Sequence, residues 1–323
     1  MIVIIISIII LYLTYCLYQH FFSSSKINPK GKYVLISGCD TGIGHALAMK
    51  LDQLGFNVFV GVLIPDNSAL LKAKLSSRAT VFRLDITKQE DIDAAYNLVK
   101  KTTNTLHALV NNAGILTHGC IDWTSMEIMR KLMDVNFFGH VAMTKKLLPL
   151  LIAKCDSRIV NVVSAAGFFT FPNTSAYSAS KYALKSFSDC LRREMASWNL
   201  RVSIIEPGAL RTPMMERYED TLRNVWNGLP SDVQERWGID YLNGIITKAI
   251  NSPFMINADN PSRVVRAVQH AVMNPKPRIH YRPGWQAKVI FYIFYLAPTW
   301  LSDKLLVKAI NFVPSGVQSQ LLN

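Results

Sequence analysis

From residue 32 onward, apolar runs of strand length alternate with stretches of helical periodicity. Tyr33–Ser37 is an apolar run that ends in glycines, and Ile43–Leu54 repeats its apolar side chains at helical spacing until Gly55. Asn57–Leu63, Val81–Leu84, Leu106–Val110, Arg158–Val163 and Val202–Ile205 read as further strands, with helical stretches between them. Thr87-Lys-Gln-Glu90 has the form of a capping box, opening a helix that reaches Lys101. Strand runs this apolar are covered on both faces, so the alternation predicts an α/β, Rossmann-type, doubly wound parallel sheet in a single domain, residues 32–284. Between 209 and 260 the pattern loosens into helical pieces rich in Met, Trp and Tyr. Trp285–Ala297 is strongly apolar, but it is short, carries Lys288 and is stopped by Pro298. Residues 285–323 are therefore expected to be membrane-associated or to cover the domain rather than to span a bilayer.

The N-terminus follows a different pattern. Ile2–Tyr18 is interrupted only by Ser7 and Thr14, apolar character continues to Phe22, and the first charge is Lys26. About 20 apolar residues cross a bilayer as a helix. There is no basic n-region and no A-x-A-like cleavage site, and the run is longer than a signal-peptide core, so residues 1–22 read as a retained anchor. A polar linker, residues 23–31, follows. Lys26, Lys30 and Lys32 lie just beyond the anchor with no Lys or Arg before it, which places the domain in the cytosol.

Composition changes this picture little. The 35 Lys+Arg against 22 Asp+Glu are scattered, which disfavours a nucleic-acid partner and leaves anionic membrane lipid as the better explanation. Five widely spaced cysteines without a C-x-x-C pair argue against a disulfide framework and against a zinc site, and no metal is expected. His107, His118 and His140 have no metal-ligand spacing and read as helix or loop residues.

Candidate chemistry clusters at strand ends. Ser37-Gly-Cys-Asp-Thr-Gly-Ile-Gly44 joins the first strand to the first helix, and such glycines let a backbone turn and a helix N-terminus approach a pyrophosphate. Asn111-Asn-Ala-Gly114 follows a later strand, as a cofactor lying across strand ends requires. Ser164 precedes Tyr177 by thirteen residues, and Lys181 follows Tyr177 at i+4, on the same helix face. An ammonium beside a phenol favours tyrosinate, which can exchange a proton with an alcohol or carbonyl oxygen while Ser164 hydrogen-bonds that oxygen. Tyr96 and Lys100 repeat the spacing, but Arg83 stands where the serine should be, so that pair reads as an ordinary helix face.

These motifs, in this order, resemble the short-chain dehydrogenases/reductases from Lys32 to about Tyr281, with Asp85 and Pro207-Gly208 completing the set. The resemblance implies Asn136, Ser164, Tyr177 and Lys181 as catalytic residues, with the asparagine holding a water that relays protons to the lysine. It implies a cofactor set of Gly38, Cys39, Asp40, Thr41, Gly42, Ile43, Gly44, Val62, Asp85, Asn112, Ala113, Gly114, Tyr177, Lys181, Pro207, Gly208 and Thr212. Within that set Asp85 would contact adenine, Lys181 the nicotinamide ribose and Thr212 the carboxamide. Gly38-Cys-Asp-Thr-Gly42, Phe59-Val-Gly-Val-Leu63, Val135-Asn-Phe-Phe-Gly139 and Arg282-Pro-Gly-Trp-Gln-Ala-Lys288 are similar to the membrane-bound retinol and hydroxysteroid dehydrogenases. That subgroup implies a lipophilic alcohol or ketone, bound by Ser164, Tyr177, Met214 and Met215, and a location at the endoplasmic reticulum membrane. Residues 209–260, with Met214, Met215 and Trp226, are expected to form a substrate lid.

No cation stands at the end of the second strand, where Val62 and Leu63 are followed by Pro65-Asp66, and Thr41 and Asp40 occupy the turn. A 2′-phosphate would be poorly held there, so NAD is favoured over NADP. The expected activity is NAD-dependent oxidation of a retinoid or steroid alcohol. An NADPH-dependent carbonyl reductase and a non-catalytic membrane-tethered member of the fold remain as alternatives, and the sequence leaves a homodimer open.

Overall fold

The computed structural model describes residues 26–64, 66–310 and 312–322, together with Ser7, Leu11 and Thr14. The expected anchor, residues 1–22, therefore lies outside the described residues apart from those three positions.

Among the described residues, seven strands make one parallel sheet: β1 Tyr33–Ile36, β2 Asn57–Val62, β3 Ala79–Arg83, β4 Ala108–Asn111, β5 Arg158–Val162, β6 Arg201–Ile205 and β7 His280–Tyr281. Their order is β3-β2-β1-β4-β5-β6-β7, so the direction of winding reverses between β1 and β4. The registers Ile36↔Val60 and Ile36↔Val110 bring the C-terminal ends of β2, β1 and β4 to one level. A crevice forms outside strand ends at such a reversal.

Side-chain alternation explains the two covering layers. Val34 and Ile36 face one side with Val58, Val60 and Val110, where they meet Leu47 and Leu51 of α1 (Gly42–Gln53). Val264, Val268 and Val272 of a later helix, Ser262–Met273, complete that layer. Leu35, Phe59, Leu109 and Ile159 face the other side. There they pack on Ile92 and Val99 of Gln89–Thr102 and on Met143 and Leu147 of Gly139–Ile152. Taken in chain order, the helices before the lid are α1, α2 Asp66–Lys72, α3 Gln89–Thr102, α4 Met126–Met133, α5 Gly139–Ile152 and α6 Ser175–Glu194.

Each expected strand is present within the usual boundary scatter. The capping box is not. Helix α3 starts at Gln89, and Thr87 instead gives its backbone N–H and its hydroxyl to Asp85 Oδ1, at 2.9 and 2.7 Å. A carboxylate two residues upstream is the better acceptor partner, so the turn closes on Asp85 and the helix begins later.

The lid region folds as α7 Pro213–Glu216, α8 Tyr218–Asn227, α9 Ser231–Trp237, α10 Ile239–Ile250 and α11 Pro253–Ile256. It has its own small core, in which Trp226 packs edge-on to Trp123 with ring centroids 5.1 Å apart. Trp226 thus belongs to the lid's interior. After α12 (Ser262–Met273) and β7, a π-turn at Gln286–Ile290 leads into α13 Phe291–Leu296, α14 Thr299–Ile310 and α15 Ser315–Leu322. The chain bends by 119° between Gln286–Leu296 and Thr299–Lys308, at Pro298. No single helix among the described residues is long and apolar enough to cross a membrane, although this bent pair passes that test together.

Candidate active site

One large cleft, about 1620 Å3, runs from the glycine turn across the ends of β4 and β5 to the lid and α13–α14. Drug-sized ligands occupy pockets of roughly 300–1,000 Å3, so this one has room for a dinucleotide and a second molecule together.

Its first wall is the turn after β1. Gly38 has φ +68°, and a Cβ there would meet the Ala113 Cα at 2.6 Å, so only glycine fits. Ser37, fully buried, accepts from the backbone N–H groups of Asn112 and Ala113, both at 3.1 Å. Asn112 Nδ2 donates back to the carbonyls of Ser37 and Gly38 at 2.9 Å. These bonds stitch the glycine turn to the end of β4, a role of Ser37 that no motif announces. Thr41 stands at the N-cap of α1 without a side-chain cap, and nothing lies within 4 Å of the point where a Gly42 Cβ would be. The first N–H groups of α1 therefore face an open cradle, which fits the pyrophosphate of a dinucleotide.

Gly38, Asp40, Thr41, Gly42, Ile43, Asp85, Asn112, Ala113, Gly114, Pro207, Gly208 and Thr212 all line the cleft. Cys39, Gly44 and Val62 do not. The Cys39 thiol donates to the Ile36 carbonyl in the core, and burial pushes it well above its ordinary pKa. Val62 is fully buried, and Gly44 is where the helix abuts Gly38 and Asn112. Asp40 accepts from the backbone N–H groups of Leu63 and Ile64 at 2.9 and 2.8 Å, so its carboxylate sits at the end of β2. The cationic side chains lining the cleft are Arg130, Lys131, Lys181 and Lys248, none from the β1 or β2 end, and Lys72 and Lys74 are not among them.

The second wall holds the expected chemistry. Ser164 follows β5 and Tyr177 and Lys181 lie on α6, which brings all three into the cleft. Tyr177 is hydrogen-bonded to Ser164, which counters in part the rise in its pKa caused by burial. Ser164 also accepts from the Ala166 N–H at 3.1 Å. Lys181 Nζ donates to the Val162 carbonyl at 3.2 Å and lies 5.7 Å from the Tyr177 ring centre. Burial lowers Lys181 to about 8. Tyr177 is shifted upward by the loss of water around the phenol, not downward as expected from a neighbouring ammonium.

Asn136 sits beneath this wall rather than in it, fully buried in a π-turn at Asp134–Phe138 between α4 and α5. Its Nδ2 donates to the Ile115 carbonyl and Ser180 Oγ, and its Oδ1 accepts from the Ile115 N–H. Both amide protons and one lone pair are engaged, leaving one lone pair. His140, one turn later, donates Nε2–H to the Ala113 carbonyl at 2.8 Å, and burial with the nearby Lys181 charge holds its pKa to about 3. Tyr96 packs against the sheet with Lys146 over its ring at 5.1 Å, away from the cleft.

The third wall is apolar. Met214, Met215, Phe254, Met255, Phe291, Leu306 and Phe312 line it. Gln286 pins this wall together, accepting from the Ala209 N–H at 3.2 Å while donating to the carbonyls of Phe254 and Asn257 at 2.9 and 3.1 Å. It joins both ends of the lid to the C-terminal segment. In the sequence it is one polar residue in an apolar stretch, with nothing to mark it.

Residues 32–223 match the family described as short chain dehydrogenase. Among curated proteins, "Retinol dehydrogenase 7" of Mus musculus is 37% identical over 279 residues, 85% of this chain and 87% of that protein. "17-beta-hydroxysteroid dehydrogenase type 6" of Bos taurus is 35% identical over 283 residues, covering 86% and 88%. Among solved structures, a short-chain dehydrogenase from Streptomyces avermitilis superposes with a TM-score of 0.67 at 25% identity, covering 86% of this chain and 96% of the other. The chain belongs to the short-chain dehydrogenase family. It is an NAD(P)-dependent dehydrogenase, homologous to retinol and 17-beta-hydroxysteroid dehydrogenases.

Proposed function

We propose that this enzyme oxidises a lipophilic primary or secondary alcohol, of the retinoid or steroid kind, with NAD as acceptor, while held at the endoplasmic reticulum membrane. The observation that carries the reading is Tyr177, hydrogen-bonded to Ser164 above buried Lys181, at the meeting of a dinucleotide-sized cradle and an apolar wall.

In this reading the substrate hydroxyl sits between Ser164 Oγ and the Tyr177 oxygen. Ser164 holds the oxygen, and the tyrosinate form of Tyr177, a minor species because burial raises the phenol, removes its proton. The bound dinucleotide supplies the hydride acceptor at the carbinol carbon. Lys181 in its charged form offsets the tyrosinate, and Asn136 fixes the segment after Gly114 and offers its remaining lone pair to a relaying water. Asp40, Thr41 and the open N–H groups of α1 hold the adenosine half. The Asp40 carboxylate at the end of β2 supports NAD over NADP, as do the origins of the cations that line the cleft, Arg130, Lys131, Lys181 and Lys248, which come from other elements.

The named relatives support the substrate class, since retinol and hydroxysteroids are apolar bodies carrying an alcohol. Residues 1–22 serve as the anchor, 32–284 as the catalytic domain facing the cytosol, 209–260 as the lid, and 285–323 as a second membrane-associated segment. Membranes carrying the full-length protein, screened against retinoid and steroid alcohols with each cofactor, test this directly. Turnover of a lipophilic alcohol with NAD is the expected result. Preferential ketone reduction with NADPH would instead make the enzyme a carbonyl reductase.

A further inference from the structure

We propose that His140 is a positioning residue for the dinucleotide, holding the Ala113–Gly114 peptide in the orientation that the cofactor meets. The proposal rests on reading the cleft as a dinucleotide site, and it adds to that site a residue that does not touch the ligand.

His140 is fully buried near the start of α5 and does not line the cleft, whereas Ala113, Gly114 and Ile115 do. Its Nε2 is 2.8 Å from the Ala113 carbonyl, and because a carbonyl only accepts, the ring proton sits on that nitrogen. Burial and the nearby Lys181 charge keep the imidazole neutral at physiological pH. The Ala113 N–H is held from the other side, by Ser37 Oγ at 3.1 Å. Ala113 therefore hangs between the turn after β1 and α5, with both its main-chain polar groups engaged. In a planar trans peptide the Ala113 carbonyl and the Gly114 N–H point in opposite directions. The bond to His140 thus also turns that N–H away from α5.

The start of α5 is a firm post for this contact. A Cβ on Gly139 would meet Ile86 at 2.8 Å, so the helix is pressed against the chain that follows β3. Four residues before His140, Asn136 holds the N–H and the carbonyl of Ile115. Asn136 and His140 together grip the main chain on either side of Gly114. A Cβ on Gly114 would lie 3.3 Å from Asn136 Oδ1 and 3.6 Å from Lys181 Nζ, so a tilt of this peptide changes the wall beside Lys181. His107 makes the same kind of bond, from Nε2 to the Val272 carbonyl at 3.0 Å, but just before β4 and away from the cleft. The pair separates a bond that holds only the fold from one that also shapes the site.

The test is binding of NADH, followed by its own fluorescence, to the full-length protein in detergent, with NADPH in parallel. The variants are His140→Leu, His140→Gln, His140→Asn and His107→Leu. Leucine cannot donate. Glutamine places its amide nitrogen near the position of Nε2, and the shorter asparagine reaches only that of Nδ1. Affinity should fall about tenfold in His140→Leu and His140→Asn and stay within about twofold of wild type in His140→Gln. His107→Leu should lower the melting temperature and leave affinity unchanged. His140→Asn, which keeps a polar side chain, carries the comparison where leucine does not fold. Wild-type affinity in His140→Asn, or an equal loss in His140→Gln or in His107→Leu, overturns the proposal. The cofactor is the only ligand, so neither the substrate nor the direction of the reaction bears on the result. A wild-type protein that bound neither dinucleotide would overturn the reading of the cleft itself, and the proposal with it.

Discussion

At Lys181 the fold works against the charge it holds. The side chain is almost wholly enclosed, and burial lowers its pKa from 10.5 to about 8. A folded-state pKa below the unfolded one means that the unfolded chain binds the proton more readily between those two values. Stability therefore rises with pH through the window from about 8 to 10.5, by an amount on the order of 3 kcal/mol for this group. Replacing Lys181 by Met removes that dependence. Denaturant unfolding of both proteins across the window should show the wild type gaining on Lys181→Met as pH increases. A constant difference would mean that Lys181 is not buried as a charge in the folded enzyme. That Tyr177, Ser164 and Lys181 share one wall could be anticipated from the helix repeat and the serine spacing, together with the glycine turn and Asn111–Gly114 that precede them. The contacts of His140 and Gln286 could not, since the bond of one to Ala113 and the three hydrogen bonds of the other exist only once distant segments meet.

At the level of elements, the proposed choice of dinucleotide rests on the turn after β1 and the end of β2. Asp40 reaches across from one to the other and accepts two backbone N–H groups. The sequence placed an acid in the turn but could not show that it caps β2, since the contact spans 23 residues. Leu63 is half exposed at this end of the cleft and presents only hydrocarbon. Leu63→Arg would add the missing cation, and a hydrogen bond to a charged group contributes about 1.5–3 kcal/mol. We expect kcat/KM with NADP to rise roughly tenfold or more in the variant, narrowing a wild-type preference for NAD. An unchanged ratio would show that the 2′-hydroxyl of the cofactor points away from β2. Strands β1 to β6 were legible as apolar runs, whereas β7 is only His280–Tyr281 and carries no such signal. Thr87 misled because a capping-box spelling competes with an aspartate-closed turn, and the nearer carboxylate won. The lid helices α8 to α10 share a local core with Cys120 and Trp123, so their periodicity reports that core and says little about the substrate.

For the whole molecule, the proposed attachment to the membrane would draw on two sources. One is the apolar stretch at residues 2–22. The other is the bent pair α13–α14, where Ile293 is 59% exposed, Leu296 66%, Trp300 68% and Val307 68%. Phe291 and Leu306, from the same pair, line the cleft. Apolar side chains this exposed on both helices fit the interfacial zone of a bilayer, which would put the apolar end of the cleft beside its lipid. Deleting residues 1–25 should therefore release only part of the protein, with the rest still floating with vesicles. Complete release would confine attachment to the N-terminus.

In the proposed mechanism the Tyr177 hydroxyl moves the proton while hydride leaves the substrate carbon. Tyr177→Phe removes that one oxygen and leaves the ring in the wall and Lys181 on its helix. The decisive measurement is the rate of NADH formation from a lipophilic alcohol by membranes carrying Tyr177→Phe or wild type, at matched NAD occupancy. Turnover should fall by about 10²–10⁴-fold while NAD binds with near-normal affinity. A variant that turns over at a rate close to wild type would contradict the mechanism.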